Sequence, residues 1–276
     1  MIQDWFSESR ADDDDAVSPF DTSVARQARI YNYLLGGKDN FTADRQAAAQ
    51  AISAFPGLVA WARRNRAFLG RTVRFLVAQA GVRQFLDIGT GLPTGENTHE
   101  VAQRLAPESR VVYVDNDPVV LVHAQALLTS RPEGATAQVK ADLRDPGGIL
   151  DAAAATLDLT QPVAVMLLAV LHVVPDADDP WAIVSRLMSA LPAGSYLVIS
   201  HPASDIHPEA MAEVTRLFNR RLGSVAFGGR TRDEVARFFA GLQLIEPGIV
   251  SAPQWRPEGG LGTGVDPSYA AVARKP

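Results

Sequence analysis

The stretch FLDIGTGLP, at residues 85–93, is the part of the sequence that decides the fold. An apolar run reaches an aspartate, Asp87, and two glycines follow with one residue between them. In doubly wound α/β proteins, such a strand and glycine turn bring the backbone close to a bound ligand. A turn that only needs glycine for its backbone angles would give the same pattern. The surrounding sequence therefore has to identify both the sheet and the ligand.

Four further apolar runs follow this stretch and alternate with helix-like segments. They are RVVYVD at 110–115, ATAQVKAD at 135–142, PVAVMLLAV at 162–170 and SYLVIS at 195–200. Strands that alternate with helices predict a parallel, doubly wound sheet, which binds ligands beyond the carboxyl ends of its strands. Two later segments, LQLIEPGIV and SYAAVARK, predict an antiparallel pair. We therefore expect a Rossmann-like α/β sheet of seven strands, mostly parallel, with the last strand antiparallel.

The remaining sequence divides the chain into three parts. Residues 1–20 contain four consecutive aspartates and no apolar period, which predicts a flexible acidic tail. Residues 21–80 have helical periodicity and predict an N-terminal helical extension. Residues 81–276 hold the predicted sheet, with a cap insertion at about 201–231 that is longer than one crossover helix needs. We expect the extension to pack on one α/β domain.

The composition excludes several kinds of chemistry. The chain of 276 residues contains no cysteine, which excludes disulfides, thiolate nucleophiles and thiolate metal sites. Its formal net charge of −5 argues against a general nucleic-acid binder. We see neither a signal-peptide pattern nor an apolar stretch of membrane-spanning length. We therefore expect a cytoplasmic protein with a small-molecule partner and with no nucleic-acid or membrane partner.

Acidic residues at three consecutive strand ends distinguish between two adenosine-containing ligands. A dinucleotide fingerprint needs a third glycine where this chain has Thr94, and a pyrophosphate is a poor neighbour for Asp87. Asp87 suits an ammonium group, Asp115 the ribose hydroxyls and Asp142 the adenine amino group. S-adenosylmethionine carries all these groups and no phosphate, so we favour it as the cofactor. Helix caps and turns are the alternative explanation for Asp115 and Asp142.

Several longer motifs resemble a known family. They are YNYLLGGKDNFTADR, DIGTGLPTGENTHEVAQ, VVYVDNDPVVL, ADLRDP, AVLHVVPDADDP, GSYLVISH and WRPEG. With these motifs, residues 21–276 resemble the bacterial S-adenosyl methyltransferase family first catalogued as a domain of unknown function. The LLGGKDNF segment is specific to that family, whereas the glycine turn is common to all class I methyltransferases. The resemblance implies a Rossmann-like methyltransferase with added N-terminal helices, and it implies no particular substrate.

The resemblance also implies which residues lie along the cofactor. Those expected at the methionine portion are Asp87, Gly89, Thr90 and Gly91. Those expected at the adenosine are Asp115 for the ribose and Asn116, Asp142 and the backbone of Leu143 for the adenine. Ala169, at the end of the fourth strand, is expected near the sulfonium.

Three histidines are candidates for a catalytic base. Methyl transfer is an in-line displacement, so a site mainly aligns the acceptor and excludes water, and we expect no metal. A base is needed when the acceptor is a hydroxyl or a ring N–H. His172 and His201 follow the fourth and fifth strands, and His207 lies in the predicted cap. We favour His201 because it leaves its strand directly. A hydrogen-bonded structural role is the alternative for each histidine.

The segment YNYLLGGKDNF predicts either a lid or a structural elbow. Its glycine pair would by itself end a helix, but polar residues follow the pair directly. We favour a lid over the methionine and acceptor pocket. The residues assigned to this lid are Tyr31, Asn32, Tyr33, Lys38, Asp39 and Asn40.

Together these features favour a methyltransferase that acts on a small, cyclic or aromatic specialised metabolite. A protein that binds the cofactor but has lost catalysis is the second hypothesis. A methyltransferase of a macromolecule ranks lower, because no Asn-Pro-Pro-Tyr type segment follows the fourth strand and no basic stripe is evident.

Overall fold

A seven-stranded sheet forms the centre of the computed structural model, which describes residues 21–221, 227–258 and 264–276. The strands are β1 Gln84–Ile88, β2 Arg110–Asp115, β3 Ala135–Lys140, β4 Ala164–Leu168, β5 Tyr196–Pro202, β6 Gln243–Leu244 and β7 Ser268–Arg274. Their order in the sheet is β3-β2-β1-β4-β5-β7-β6. Strands β1 to β5 pair in parallel, and β7 is antiparallel to both β5 and β6. The predicted Rossmann-like sheet is confirmed, whereas the predicted acidic tail lies outside the described residues.

Helices cover both faces of the sheet and extend beyond it. Those before the sheet are α1 Gln27–Leu34, α2 Thr42–Ala54 and α3 Leu58–Ala78. Those between the parallel strands are α4 Thr98–Leu105, α5 Pro118–Leu127, α6 Pro146–Ala153 and α7 Pro180–Ser189. Between β5 and β6 lie α8 Pro208–Arg221, inside the predicted cap insertion, and α9 Arg232–Ala236.

Alternation along β1 divides the core between the two faces of the sheet. Leu86 and Ile88 pack with Leu187 of α7 on one face. Phe85 packs with Phe68 of α3 and with Trp255 on the other face. Successive side chains of a strand point to opposite faces, so a strand that is apolar on both sides lies between two helical layers.

A third apolar cluster joins the N-terminal helices to α8. Ile30 of α1, Ala48 of α2 and Trp61 of α3 are buried in it together with Phe218 of α8. Trp61 is two turns before Phe68 on α3, so this helix contributes to both the cluster and the sheet core. The N-terminal helices and the cap helix therefore form one packed unit.

Candidate active site

A cavity of about 620 Å³ lies at the carboxyl ends of β1 to β4. Strand β1 pairs with β2 on one side and with β4 on the other, so the strand order reverses at β1. This reversal is where doubly wound sheets bind their ligands. The cavity has the size of a small-molecule site. Every residue expected along the cofactor lines it, namely Asp87, Gly89, Thr90, Gly91, Asp115, Asn116, Asp142, Leu143 and Ala169.

The two glycines of the turn are required for different reasons. Both have positive φ angles, +74° at Gly89 and +64° at Gly91. A Cβ atom at Gly89 would lie 2.3 Å from Cγ2 of Val170, so the chain after β4 leaves no room for a side chain. At Gly91 a Cβ atom would meet nothing within 4 Å. Gly91 is therefore required by its backbone angle, which favours a residue without a side chain.

Asp87 is a buried carboxyl group at the end of β1. The Thr98 hydroxyl donates to Oδ2 of Asp87 over 2.6 Å. Burial raises the pKa of Asp87 to about 6, although the Thr98 hydrogen bond and the positive charge of Arg66 oppose this shift. A buried carboxylate costs free energy unless it is paired, and a cationic ligand supplies such pairing. The site is therefore chemically suited to an ammonium group.

Asp115 and Asp142 have different surroundings. Asp115 accepts hydrogen bonds from the backbone N–H of Gly91 over 3.0 Å and of Asp117 over 2.9 Å, while burial raises its pKa. Asp142 is more exposed and pairs with the guanidinium of Arg144 at 3.3 Å. Asn116 donates to Asp142 over 3.4 Å. This set of acids fits a cationic adenosine ligand and would repel a pyrophosphate.

His201 lies inside the protein and does not line the cavity. Strand β5 continues through it to Pro202, so His201 pairs with Tyr269 of β7 instead of starting a loop. Its Nδ1 bonds the Pro202 carbonyl at 2.8 Å, and its Nε2 accepts from Arg230 at 2.7 Å. Burial lowers its pKa to about 3. This placement corrects the expectation that His201 faces the acceptor.

His207 does not line the cavity either, and the centroid of its ring lies 6.1 Å from the ring centroid of Phe55. His172 is the predicted histidine that does, in a short 3-10 helix after β4. Its Nε2 contacts the amide of Gln27 from α1. Its buried Nδ1 has no hydrogen-bond partner among the described residues. Burial lowers the pKa of His172 well below its usual value, so the ring is neutral.

Tyr31 is the one residue of the predicted lid that lines the cavity. Its hydroxyl donates to the carbonyl of Ala62 over 3.1 Å and accepts from Asn65 over 3.0 Å. These two contacts join α1 to α3. The position of Tyr31 is therefore fixed by the helix beneath it.

The rest of the predicted lid segment forms an elbow next to the cavity. Asn40 donates to Asn32 over 2.9 Å, and a Cβ atom on Gly37 would lie 2.4 Å from the Asn32 amide nitrogen. Oδ1 of Asp39 lies 3.8 Å from Nε2 of His123 on α5. The lid residues that do not line the cavity are Asn32, Tyr33, Lys38, Asp39 and Asn40. This geometry corrects the expectation that they cover the ligand.

The sequence motifs did not predict several of the residues that line the cavity. On α3 the spacing of Leu58, Trp61, Asn65 and Leu69 follows one helical face, and all four line the cavity. A polar Asn65 within that apolar stripe was a detectable signal. The other missed residues include Gln27, Arg66, Met211, Val214, Phe218 and Phe227.

In residues 21–221, 227–258 and 264–276 there is no group of three or more histidine or acidic side chains placed to hold a metal ion. No helix in those same ranges is both long and apolar enough to cross a membrane.

Comparison with known proteins identifies the family of this chain. The model of the S-adenosyl methyltransferase family matches residues 13–276. The chain is 48% identical to a DUF574 family protein from Streptomyces avermitilis, with a TM-score of 0.89 and coverage of 92% of this chain and 99% of that chain. It is 40% identical to a candidate methyltransferase from Thermobifida fusca, with a TM-score of 0.84 and coverage of 93% and 97%.

A more distant structure shares only the fold. The plantazolicin methyltransferase BpumL, solved with a monoazolic desmethylPZN analogue and S-adenosylhomocysteine, is 10% identical, with a TM-score of 0.52 and coverage of 90% of this chain and 94% of that chain. No curated protein matches. Because the family model spans nearly the whole chain, the protein belongs to the S-adenosyl methyltransferase family, and its cofactor is S-adenosyl-L-methionine.

Proposed function

We propose that this protein transfers the methyl group of S-adenosylmethionine to a small, cyclic or aromatic molecule of specialised metabolism. The observation that supports this proposal is the division of one cavity into two unlike halves. Acidic groups at the strand ends line one half, and apolar side chains from α1, α3, α8 and the segment before α9 line the other. Those apolar residues are Ile30, Leu34, Trp61, Met211, Phe218 and Phe227.

The aromatic side chains favour a flat acceptor. The rings of Tyr31 and Trp61 meet edge to face with centroids 6.1 Å apart, and those of Phe218 and Phe227 lie 5.0 Å apart. Aromatic rings prefer such contacts and offset stacking, so another ring is a suitable guest. A nucleic acid would instead need a row of cations for its phosphates.

The chain itself supplies binding, alignment and exclusion of water. When bound, S-adenosylmethionine supplies an electrophilic methyl group on a sulfonium cation. Asp87, Asp115 and Asp142 would hold its ammonium, ribose and adenine groups. The apolar half would hold the acceptor and exclude water, which leaves alignment as the main contribution to rate.

His172 is our candidate for the base. The ring is neutral, so its free nitrogen can accept a proton from an acceptor hydroxyl or ring N–H and later release it to water. For Nδ1 to be that nitrogen, Nε2 must carry the hydrogen and the Gln27 amide oxygen must accept it. A flip of the amide provides this arrangement without moving α1.

Turnover in a fractionated extract would test the proposal. The purified protein is incubated with S-adenosylmethionine and either the small-molecule or the macromolecular fraction, and S-adenosylhomocysteine is quantified. We expect product only with the small-molecule fraction, together with a metabolite heavier by one methylene unit. An Asp115→Ala variant is the control for background turnover. Product only with macromolecules, or cofactor binding without any product, would contradict the proposal.

A further inference from the structure

The methionine end of the cofactor carries an ammonium and a carboxylate, and Asp87 suits only the first. A carboxylate is recognised best by a planar guanidinium, which donates two parallel hydrogen bonds. A complete site therefore needs a cation near Asp87.

Arg66 of α3 lies at that end of the cavity. Arg66 and Asp87 both line the main cavity, and both also line a small adjoining recess together with Thr90 and Gly91 of the glycine turn. The positive charge of Arg66 lowers the pKa of Asp87, although burial has the larger effect. The two side chains therefore share one part of the site.

The guanidinium of Arg66 is only partly engaged by the protein. Its Nη2 donates to the carbonyl oxygens of Gly95 over 3.2 Å and of Glu96 over 2.9 Å. Within the described ranges, its Nε and Nη1 have no hydrogen-bond partner, and no carboxylate lies within ion-pair distance of its guanidinium. An arginine has five N–H donors, so most of its capacity remains available to a ligand.

The other cations of the cavity lie elsewhere. Arg144 is at the adenine side, where it pairs with Asp142 at 3.3 Å and with Asp178 at 2.6 Å. Arg26 is at the start of α1, where its backbone N–H donates to Asp44 over 2.8 Å. Among the described lining residues, Arg66 is the cation beside the glycine turn.

We propose that Arg66 binds the carboxylate of the methionine portion, so that Arg66 and Asp87 together recognise an amino-acid zwitterion. This inference rests on the cofactor of the family and not on the acceptor proposed above. The carboxylate is the same before and after methyl transfer. Arg66 therefore contributes equally to binding of the cofactor and of its product, and it acts on affinity rather than on the chemical step.

Calorimetry with two ligands tests the assignment without any acceptor. The probes are S-adenosylhomocysteine and its decarboxylated analogue, which keeps the ammonium and lacks the carboxylate. We expect Arg66→Gln to lower the affinity for S-adenosylhomocysteine by about 10- to 100-fold, which is the effect of losing a charge-assisted pair of hydrogen bonds. The affinity for the analogue should change less than about threefold, and the wild type should prefer the full ligand by a similar 10- to 100-fold factor.

Two further variants complete the test. Arg66→Lys keeps the charge but loses the bidentate geometry, so its affinity should lie between those of the wild type and Arg66→Gln. Arg74→Gln, at an arginine of α3 that pairs with Glu258 and does not line the cavity, should leave both affinities unchanged. Equal weakening of both ligands by Arg66→Gln would mean that Arg66 only holds the loop at 95–96 and would overturn the assignment, as would no weakening at all. Failure of the extract assay with normal binding here would refute only the proposed acceptor.

Discussion

The Ser200 hydroxyl donates to Oδ1 of Asn65 over 2.6 Å and so joins β5 to α3 behind the cavity. The same Ser200 oxygen accepts from the backbone N–H of Ala169 over 3.1 Å. Asn65 in turn donates to Tyr31, whose hydroxyl donates to the carbonyl of Ala62. Each side-chain group in this row of hydrogen bonds has a partner. A buried polar network adds rigidity under that condition. It fixes both Ala169, at the end of β4, and Tyr31, at the cavity wall.

Replacing Asn65 should therefore weaken the fold. Asn65→Ala leaves the buried Ser200 hydroxyl without its acceptor, which costs about 1–3 kcal/mol. Urea denaturation monitored by circular dichroism measures the free energy of unfolding. Ser53→Ala is the control, because the exposed Ser53 hydroxyl bonds only a carbonyl of its own helix. Equal stability of the two variants would show that the network contributes nothing.

Asp115 should bind the ribose of the cofactor. Asp115→Ala removes a charged hydrogen-bond acceptor, whose contribution is roughly 1.5–3 kcal/mol. The affinity for S-adenosylhomocysteine should therefore fall by about 10- to 100-fold. Part of this effect arises because Asp115 also holds the backbone N–H of Gly91. Isothermal calorimetry provides the dissociation constants. Asp145→Ala removes a helix cap that does not line the cavity and should leave affinity unchanged. Unchanged affinity in a folded Asp115→Ala protein would make this aspartate structural.

His172 and His201 should behave differently when each is replaced by glutamine. His172→Gln should lower kcat roughly 10²–10⁴-fold, the usual effect of losing a general base, while cofactor affinity stays constant. His201→Gln should reduce stability and leave kcat per folded molecule within about threefold, because His201 does not line the cavity. Steady-state kinetics with an acceptor from the extract screen measures both. The reverse pattern would restore His201 as the base.

The sequence was sufficient to bring the predicted cofactor residues to one cavity, because their positions follow from the fold itself. Asp87 and Asp115 end apolar strands, and the carboxyl ends of parallel strands meet at one edge. The position of His201 in the fold, by contrast, depends on contacts with residues that are distant in sequence. Strand β5 is longer than SYLVIS indicates because it pairs with β7 as far as Pro202, and Arg230 then occupies the histidine nitrogen. No local pattern around His201 contains either fact.

A related ambiguity arises at the elbow after α1. Polar residues after a glycine pair are compatible with ligand contacts and with a local hydrogen-bond cluster, and only the geometry distinguishes the two. Here Asn32 packs on the Cα atom of Gly37 and accepts from Asn40. The second glycine is thus needed for packing, which composition and periodicity do not reveal.

Gly37→Ala should test this structural role. The added methyl group would lie 2.4 Å from the Asn32 amide, and such overpacking costs about 1–3 kcal/mol. Thermal unfolding should show the loss, with Gly147→Ala as the control, since a Cβ atom there meets its nearest neighbour at an ordinary 3.7 Å. A stable Gly37→Ala variant with impaired cofactor binding would instead favour the lid.

The neutral state of the buried His201 ring should make the stability of the fold depend on pH. Its pKa is about 3 in the folded protein and near its ordinary value of 6.5 in the unfolded chain. Between these values the unfolded state binds more protons, so stability is fully present above pH 6.5 and is lost as the pH falls toward 3. One such group contributes a slope of at most about 1.4 kcal/mol per pH unit.

Asp87 acts in the opposite direction over part of this range. The pKa of Asp87 in the folded protein is about 6 and exceeds the ordinary value of 3.8. Between these two pH values the folded state binds more protons than the unfolded state, so acidification from pH 6 to 3.8 increases the free energy of unfolding. We expect His201→Gln to flatten the acid-side loss of stability and Asp87→Asn to steepen it, as measured by urea denaturation between about pH 4.5 and 7.5, where both groups titrate. Burial is the main reason that the His201 ring stays neutral, and the guanidinium of Arg230, which donates to its Nε2, would also repel a protonated ring. An acid-side slope that is the same in His201→Gln as in the wild type would show that His201 does not control this loss.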